Sequence, residues 1–176
     1  MTRSQFEHVV RASGAILGID DILVIGSQAL HGSIERDLPR EAERSIEVDV
    51  AVPGDVSGKK ADLIDGSIGE MSLFHDTFGY YAHGVGETTA VLPHGWRDRL
   101  VRFETPATNG VAAWCLEPHD LWISKAIANR DRDRDFCRAL LEAGIVRAGE
   151  LEARLKAVEG LEEEVRAEVR QSIERR

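Results

Sequence analysis

Residues 46–52, Ile-Glu-Val-Asp-Val-Ala-Val, alternate apolar and other residues without a break. A period of two fits a β-strand, because successive side chains on a strand point to opposite faces. Ile46, Val48, Val50 and Val52 then share one face, and Glu47, Asp49 and Ala51 share the other. The fold must therefore contain a sheet that buries the valine face. It must also accommodate two carboxylates on one side of one strand. Residues i and i+2 on a strand lie roughly 6.5–7 Å apart along the backbone. Carboxylates at that spacing can converge on one divalent cation, whereas without a cation their like charges repel. Mg²⁺ suits such oxygen ligands and fills its other positions with water and substrate phosphates. The same alternation also suits an ordinary strand with a solvated face.

The segment before it bears on that choice. Asp21–Gly26, Asp-Ile-Leu-Val-Ile-Gly, is a short apolar run that reads as a buried strand. Gly26 allows the backbone to approach a ligand closely. Ser27 stands at or near the N-cap of a short helix, "SQALHGSIE". Free N–H groups at a helix start favour an anion such as phosphate. A phosphate cradle followed by an acidic pair is more informative than either part alone.

The rest of the chain divides unevenly. A helix is expected over 3–16, a polar loop over 36–45 and a helix within 58–74, weakened by Gly66 and Gly69. "TFGYYAHGV" and "TTAVLP" read as two strands of a hairpin joined at 84–87. "HGWRDRLVRFE" reads as a turn passing into a strand, and Asn109-Gly110 as a hairpin turn returning through "VAAWCLE". From Pro118 onward the strand signals stop and helical segments follow, broken near Asn129, Gly144 and Gly160. This order predicts an α+β fold in which a mixed, twisted sheet flanked by helices occupies residues 1–117. A helical subdomain, 118–176, packs on it. The C-terminal series Leu151, Leu155, Val158, Leu161, Val165, Val169 and Ile173 forms a helical stripe suited to packing on the protein's own helices.

Composition narrows the function. The net charge is -9, which opposes non-specific binding to a phosphate backbone. No apolar run approaches the ~20 residues of a membrane span, and Met1–Val10 lack a signal-peptide core, so no membrane association is expected. Cys115 and Cys137 have no metal-site spacing. These features predict a cytoplasmic protein.

Gly26-Ser27, a helix, then Glu47-Val48-Asp49-Val50 on the next strand resembles the signature of the nucleotidyltransferase superfamily. The resemblance implies that the Gly-Ser turn holds nucleotide phosphates and that Glu47 and Asp49 hold Mg²⁺. The implied reaction is attack of an acceptor hydroxyl on the α-phosphate of a nucleoside triphosphate, with release of pyrophosphate. "DLWISKAIANRDRDRDF" places Lys125 on a helix ahead of Arg130, Arg132 and Asp133. It is similar to the Lys-then-Asp segment of the AbiEii-like nucleotidyltransferases, toxins of bacterial toxin–antitoxin pairs. Arg44-Ser45 is similar to the basic and hydroxyl residues that precede their acidic pair. The resemblance implies nucleotide contacts from Gly26, Ser27, Arg44, Ser45, Lys125 and Asp133, with Lys125 also catalytic. It further implies an antitoxin as partner and RNA, protein or a small molecule as acceptor. The superfamily's third carboxylate has no obvious counterpart. Asp76, Glu87 and Glu104 are candidates, and His83 stands where a carboxylate would be expected. A chain without that carboxylate could instead serve as a non-catalytic nucleotide-binding or protein-interaction module. His31, His75, His83, His94 and His119 lack ligand spacing and read as structural or surface residues. Trp96, Trp114 and Trp122 read as core, although Trp122 lies one helical turn from Lys125, where it could line a base pocket.

Overall fold

Ile22, Leu23 and Val24 are almost wholly excluded from solvent, as a continuous apolar run predicts for an internal strand. They form the centre of β1 (Asp21–Val24) in a computed structural model that describes residues 1–35 and 38–174. The remaining strands are β2 (Glu47–Ala51), β3 (Tyr81–Gly84), β4 (Val101–Phe103) and β5 (Ala112–Cys115). Their order is β3-β2-β1-β5-β4. β1 runs antiparallel to β2 and parallel to β5; β2 and β3 are parallel, and β4 and β5 antiparallel. This is a mixed sheet flanked by helices, the α+β architecture expected.

Eight helices complete the described fold: α1 (Arg3–Leu17), α2 (Arg40–Glu43), α3 (Lys59–Ile68), α4 (Leu73–Phe78), α5 (Pro118–Ala128), α6 (Asp131–Glu142), α7 (Ala148–Lys156) and α8 (Glu163–Glu174). α1 and α3 pack on β2 and β3, while α5 sits against the turn after β1 and collects α6, α7 and α8. Leu151, Leu155, Val158, Val169 and Ile173 of the C-terminal stripe are buried, and Leu161 and Val165 are half-buried beside them. The stripe thus packs within the chain.

Several local expectations are corrected. Residues 88–93 form no strand: a 3-10 turn, Glu87–Thr89, follows β3. β3 pairs in parallel with β2, and "TTAVLP" does not fold back against its open edge. Thr77 and Phe78 belong to α4, which Gly79 ends in a left-handed conformation. The β4–β5 link is wider than a two-residue hairpin, because a 3-10 turn, Pro106–Thr108, precedes left-handed Asn109 and Gly110. The polar loop before β2 contains α2, started by the fixed φ of Pro39. Residues 36–37 of the predicted loop and 175–176 of the predicted last helix lie outside the described residues. Trp122 is fully buried and donates its indole N–H to the Cys137 carbonyl at 2.8 Å, so it is core and lines no base pocket. Among the described residues no helix is long and apolar enough to cross a membrane.

Candidate active site

The chain leaves β1 through Ile25, whose N–H bonds to the Asp49 carbonyl at 3.2 Å, and reaches Gly26 directly beside Asp49. Gly26 has φ -92°, a conformation open to any residue, so backbone freedom does not explain it. Space does. A β-carbon at Gly26 would fall 1.8 Å from Asp49 Oδ2 and 2.7 Å from its Cγ. The Gly-Ser turn is thus packed against the second carboxylate of the acidic pair. Ser27 does not cap a helix with its side chain: Gly26 occupies the cap position, and Ser27 begins a six-residue 3-10 turn, Ser27–Gly32. The turn is too short to contribute much helix dipole. Phosphate binding there would rest on the Ser27 side chain and local N–H groups.

On β2, Val48 and Val50 are buried, and Glu47 and Asp49 are half-buried on the opposite face. Pairing with β3 places Tyr81 beside Glu47 and His83 beside Asp49. The Tyr81 hydroxyl donates to Glu47 Oε2 at 3.1 Å, and His83 Nδ1 lies 3.1 Å from Asp49 Oδ1. Burial, and then the Glu47 charge, push the Tyr81 phenol up to about 12, so it remains a donor at neutral pH. His83 was expected to be structural or surface; it is half-exposed and touches the acidic pair. A period of two puts 81 and 83 on one face, but only the pairing of β3 with β2 sets that face beside 47 and 49. None of the three carboxylates considered for the third position faces the pair. Asp76 is in α4, Glu87 pairs with Arg97, and Glu104 pairs with Arg102.

Cations arrive from the helices. Glu117 caps α5 by accepting from the N–H groups of His119 and Asp120, with Pro118 at the first helical position. One turn from its end, Lys125 extends to 3.7 Å from Asp133 Oδ1. Its side chain is only 16% exposed, so it is no surface lysine. Asn129, left-handed at φ 51°, ends α5 and turns the chain into α6. Asp133 is buried at 2% exposure, and the Arg130 guanidinium donates to it at 2.6 and 3.3 Å. That hydrogen bond first, and the nearby Asp49 and Glu47 charges further, raise the Arg130 pKa above its ordinary value. Arg132 reaches 3.7 Å from Glu47 Oε1. Asp133 thus lies between Arg130 and Lys125 at the cleft.

Two adjoining cavities result. One, about 240 Å³, is lined by Ser27, Arg44, Ser45 and Phe136 and by the carboxylates Glu41, Asp133 and Asp135. The other, about 310 Å³, is lined by Asp49, His83 and a set of aliphatic side chains. Glu47, Lys125 and Arg132 line both. Gln28, fully buried and absent from the sequence reading, donates to the carbonyls of Ala42 at 3.1 Å and Ser45 at 3.4 Å. It ties the Gly-Ser turn to the loop carrying Arg44 and Ser45. Ser45 Oγ in turn accepts from the Glu47 N–H at 3.2 Å. Gly26, Ser27, Arg44, Ser45, Glu47, Asp49, Lys125 and Asp133 thus all meet at one cleft or its immediate support.

Among the described residues no group of three or more His, Cys, Asp or Glu side chains is arranged to hold a metal. The available donor set is the Glu47–Asp49 pair. Two hard oxygen ligands fit Mg²⁺ that takes its other ligands from phosphates and water, and do not fit a metal held by protein alone.

No curated protein and no solved structure matches the chain. A family model does, over residues 5–171, a span containing every residue of the cleft. On that match the chain belongs to the family described as nucleotidyltransferase of unknown function (DUF6036).

Proposed function

We propose that the protein is a metal-dependent nucleotidyltransferase that moves a nucleoside monophosphate from a nucleoside triphosphate to an acceptor hydroxyl. The observation that carries this reading is the convergence of Ser27, Glu47 and Lys125 on one cleft, with Asp49 in the adjoining cavity, from three distant parts of the chain. Glu47 and Asp49 would hold Mg²⁺, which supplies charge neutralisation at the phosphates. Ser27, Arg44 and Ser45 would bind the leaving phosphates, and Lys125 would neutralise charge that develops on them. The acceptor oxygen forms a bond to the α-phosphorus, the bond to the α–β bridging oxygen breaks, pyrophosphate leaves, and the hydroxyl proton passes to solvent. The similarity of the Lys125–Asp133 segment to AbiEii-like toxins extends the proposal to a toxin neutralised by an antitoxin. Growth arrest on expression, abolished by Asp49→Asn, is the corresponding expectation.

A thermal-shift screen of the four ribonucleoside triphosphates, with and without Mg²⁺, tests the central reading. Ligand at a hundredfold its dissociation constant contributes ~2.7 kcal/mol by mass action, and Asp49→Asn should remove most of that. No shift with any triphosphate would overturn it. His83 in place of a carboxylate beside Asp49 favours a second reading, a nucleotide-binding module without catalysis. Triphosphate binding without pyrophosphate release, across a panel of RNA, protein and small-molecule acceptors, would select that one.

A further inference from the structure

Resting on the nucleotide reading of the cleft, we propose that the 310 Å³ cavity is the nucleoside pocket, and that it accepts the different bases with little preference. The two cavities differ in their walls. The smaller carries Ser27, Arg44 and Ser45 beyond the shared Glu47, Lys125 and Arg132, with Phe136 as its one apolar residue among the described residues. Its further carboxylates are Glu41, Asp133, which Arg130 holds, and Asp135, which Arg138 holds, so its hydroxyls and cations are what suit it to phosphates. The larger is walled by Ile25, Val85, Ala90, Val91, Ile127 and Ala128. Ligand pockets place apolar walls against apolar ligand surface and orient it with a few polar groups. In a nucleoside triphosphate the apolar, flat part is the base. The shared residues Glu47, Lys125 and Arg132 then stand at the junction where phosphate gives way to nucleoside.

The means of base discrimination are sparse. Among the described residues no Phe, Tyr or Trp lines this cavity, so the base is held between aliphatic groups and does not stack on an aromatic ring. Arg130 is engaged by Asp133 and Arg132 by Glu47. His83 is engaged by Asp49. The uncharged polar side chains left in the wall are Thr89 and Ser124. A hydroxyl both donates and accepts, and rotates to suit its partner, so it matches the edges of different bases. Strong rejection of an analogue needs a fixed donor or acceptor that is left unpaired by the wrong ligand, and hydroxyl rotors do not impose that.

The experiment compares two kinds of probe by calorimetry in Mg²⁺, inorganic tripolyphosphate and the α,β-methylene analogues of the four ribonucleoside triphosphates, on the parent and on two plugged variants. Ala128→Trp fills the cavity from the end of α5, and Val91→Trp fills it from the loop after β3. Both positions are solvent-exposed, and unchanged melting temperatures verify that the variants fold. Expected are analogue affinities that exceed that of tripolyphosphate by about tenfold or more and differ among bases by about tenfold or less. Each plug should reduce analogue binding to the tripolyphosphate level and leave tripolyphosphate itself unchanged. Full analogue affinity in both plugged variants would overturn the nucleoside assignment and give the cavity to the acceptor. A preference of more than about a hundredfold for one base would overturn the base tolerance. If the parent bound neither tripolyphosphate nor any analogue, the nucleotide reading of the whole cleft would fail, an outcome distinct from the other two.

Discussion

Gly26→Ala tests the contact on which the cleft is built. The new β-carbon would lie 1.8 Å from Asp49 Oδ2, whereas ordinary contact begins at 3.4 Å, so the carboxylate must move by about 1.6 Å. That displacement breaks its 3.1 Å bond with His83. A clash this close, with the hydrogen bond it loses (~1 kcal/mol), belongs in the upper part of the overpacking range, ~2–3 kcal/mol. In an Asp49→Ala background the carboxylate is gone and the nearest remaining atom is the residue 49 Cβ, at 2.9 Å. The same glycine substitution should then cost about 1 kcal/mol, at the lower end of the overpacking range. Urea denaturation of the four proteins in this cycle, with equal m-values, gives the coupling directly. We expect a coupling of ~1–2 kcal/mol, within the range for residues in contact. A coupling below ~0.3–0.5 kcal/mol, the additivity limit for distant sites, would refute the claim that Gly26 is glycine because Asp49 lies against it. Gly26→Ala should also abolish the Mg²⁺-dependent triphosphate shift while leaving a folded protein.

Lys125→Ala should cost about 1 kcal/mol of stability, because Asp133 keeps Arg130 as a partner; it should weaken tripolyphosphate binding about tenfold by calorimetry, one lost charged contact, and unchanged affinity removes Lys125 from the site. Asp120 is fully buried between Arg99, at 2.8 and 3.1 Å, and Arg154, at 3.0 Å; Asp120→Ala leaves both cations without it and should cost ~3–5 kcal/mol in denaturant. His31 is buried against Phe6, and burial lowers its pKa from 6.5 to about 4. The folded state then stays unprotonated where the unfolded chain binds a proton, so this contribution is complete above pH 6.5 and is lost as pH falls toward 4. It amounts to about 3 kcal/mol, and His31→Phe should flatten the stability profile across that window.

Local pattern determined much of this protein. A period of two set Val48 and Val50 inward and Glu47 and Asp49 outward, because strand geometry leaves no other arrangement for alternating residues. Continuous apolarity marked β1 as internal, and helical spacing marked the C-terminal stripe as a packed face. These are properties of a segment and its own periodicity. Pairing belongs to the whole chain. Residues 88–93 read as a strand but pair with none of the described strands, and the chain enters a 3-10 turn after β3 instead. Nothing in its own helical segment marked Lys125 as buried, and only the packing of α5 and α6 sets it beside Asp133. Gly26 suggested close approach of the backbone to a ligand, and only the register of β1 against β2 reveals that Asp49 fills the space of its missing side chain. His83 acquired its place beside Asp49 in the same way, because a residue's partners across a sheet depend on strand order, which a segment's own sequence does not encode.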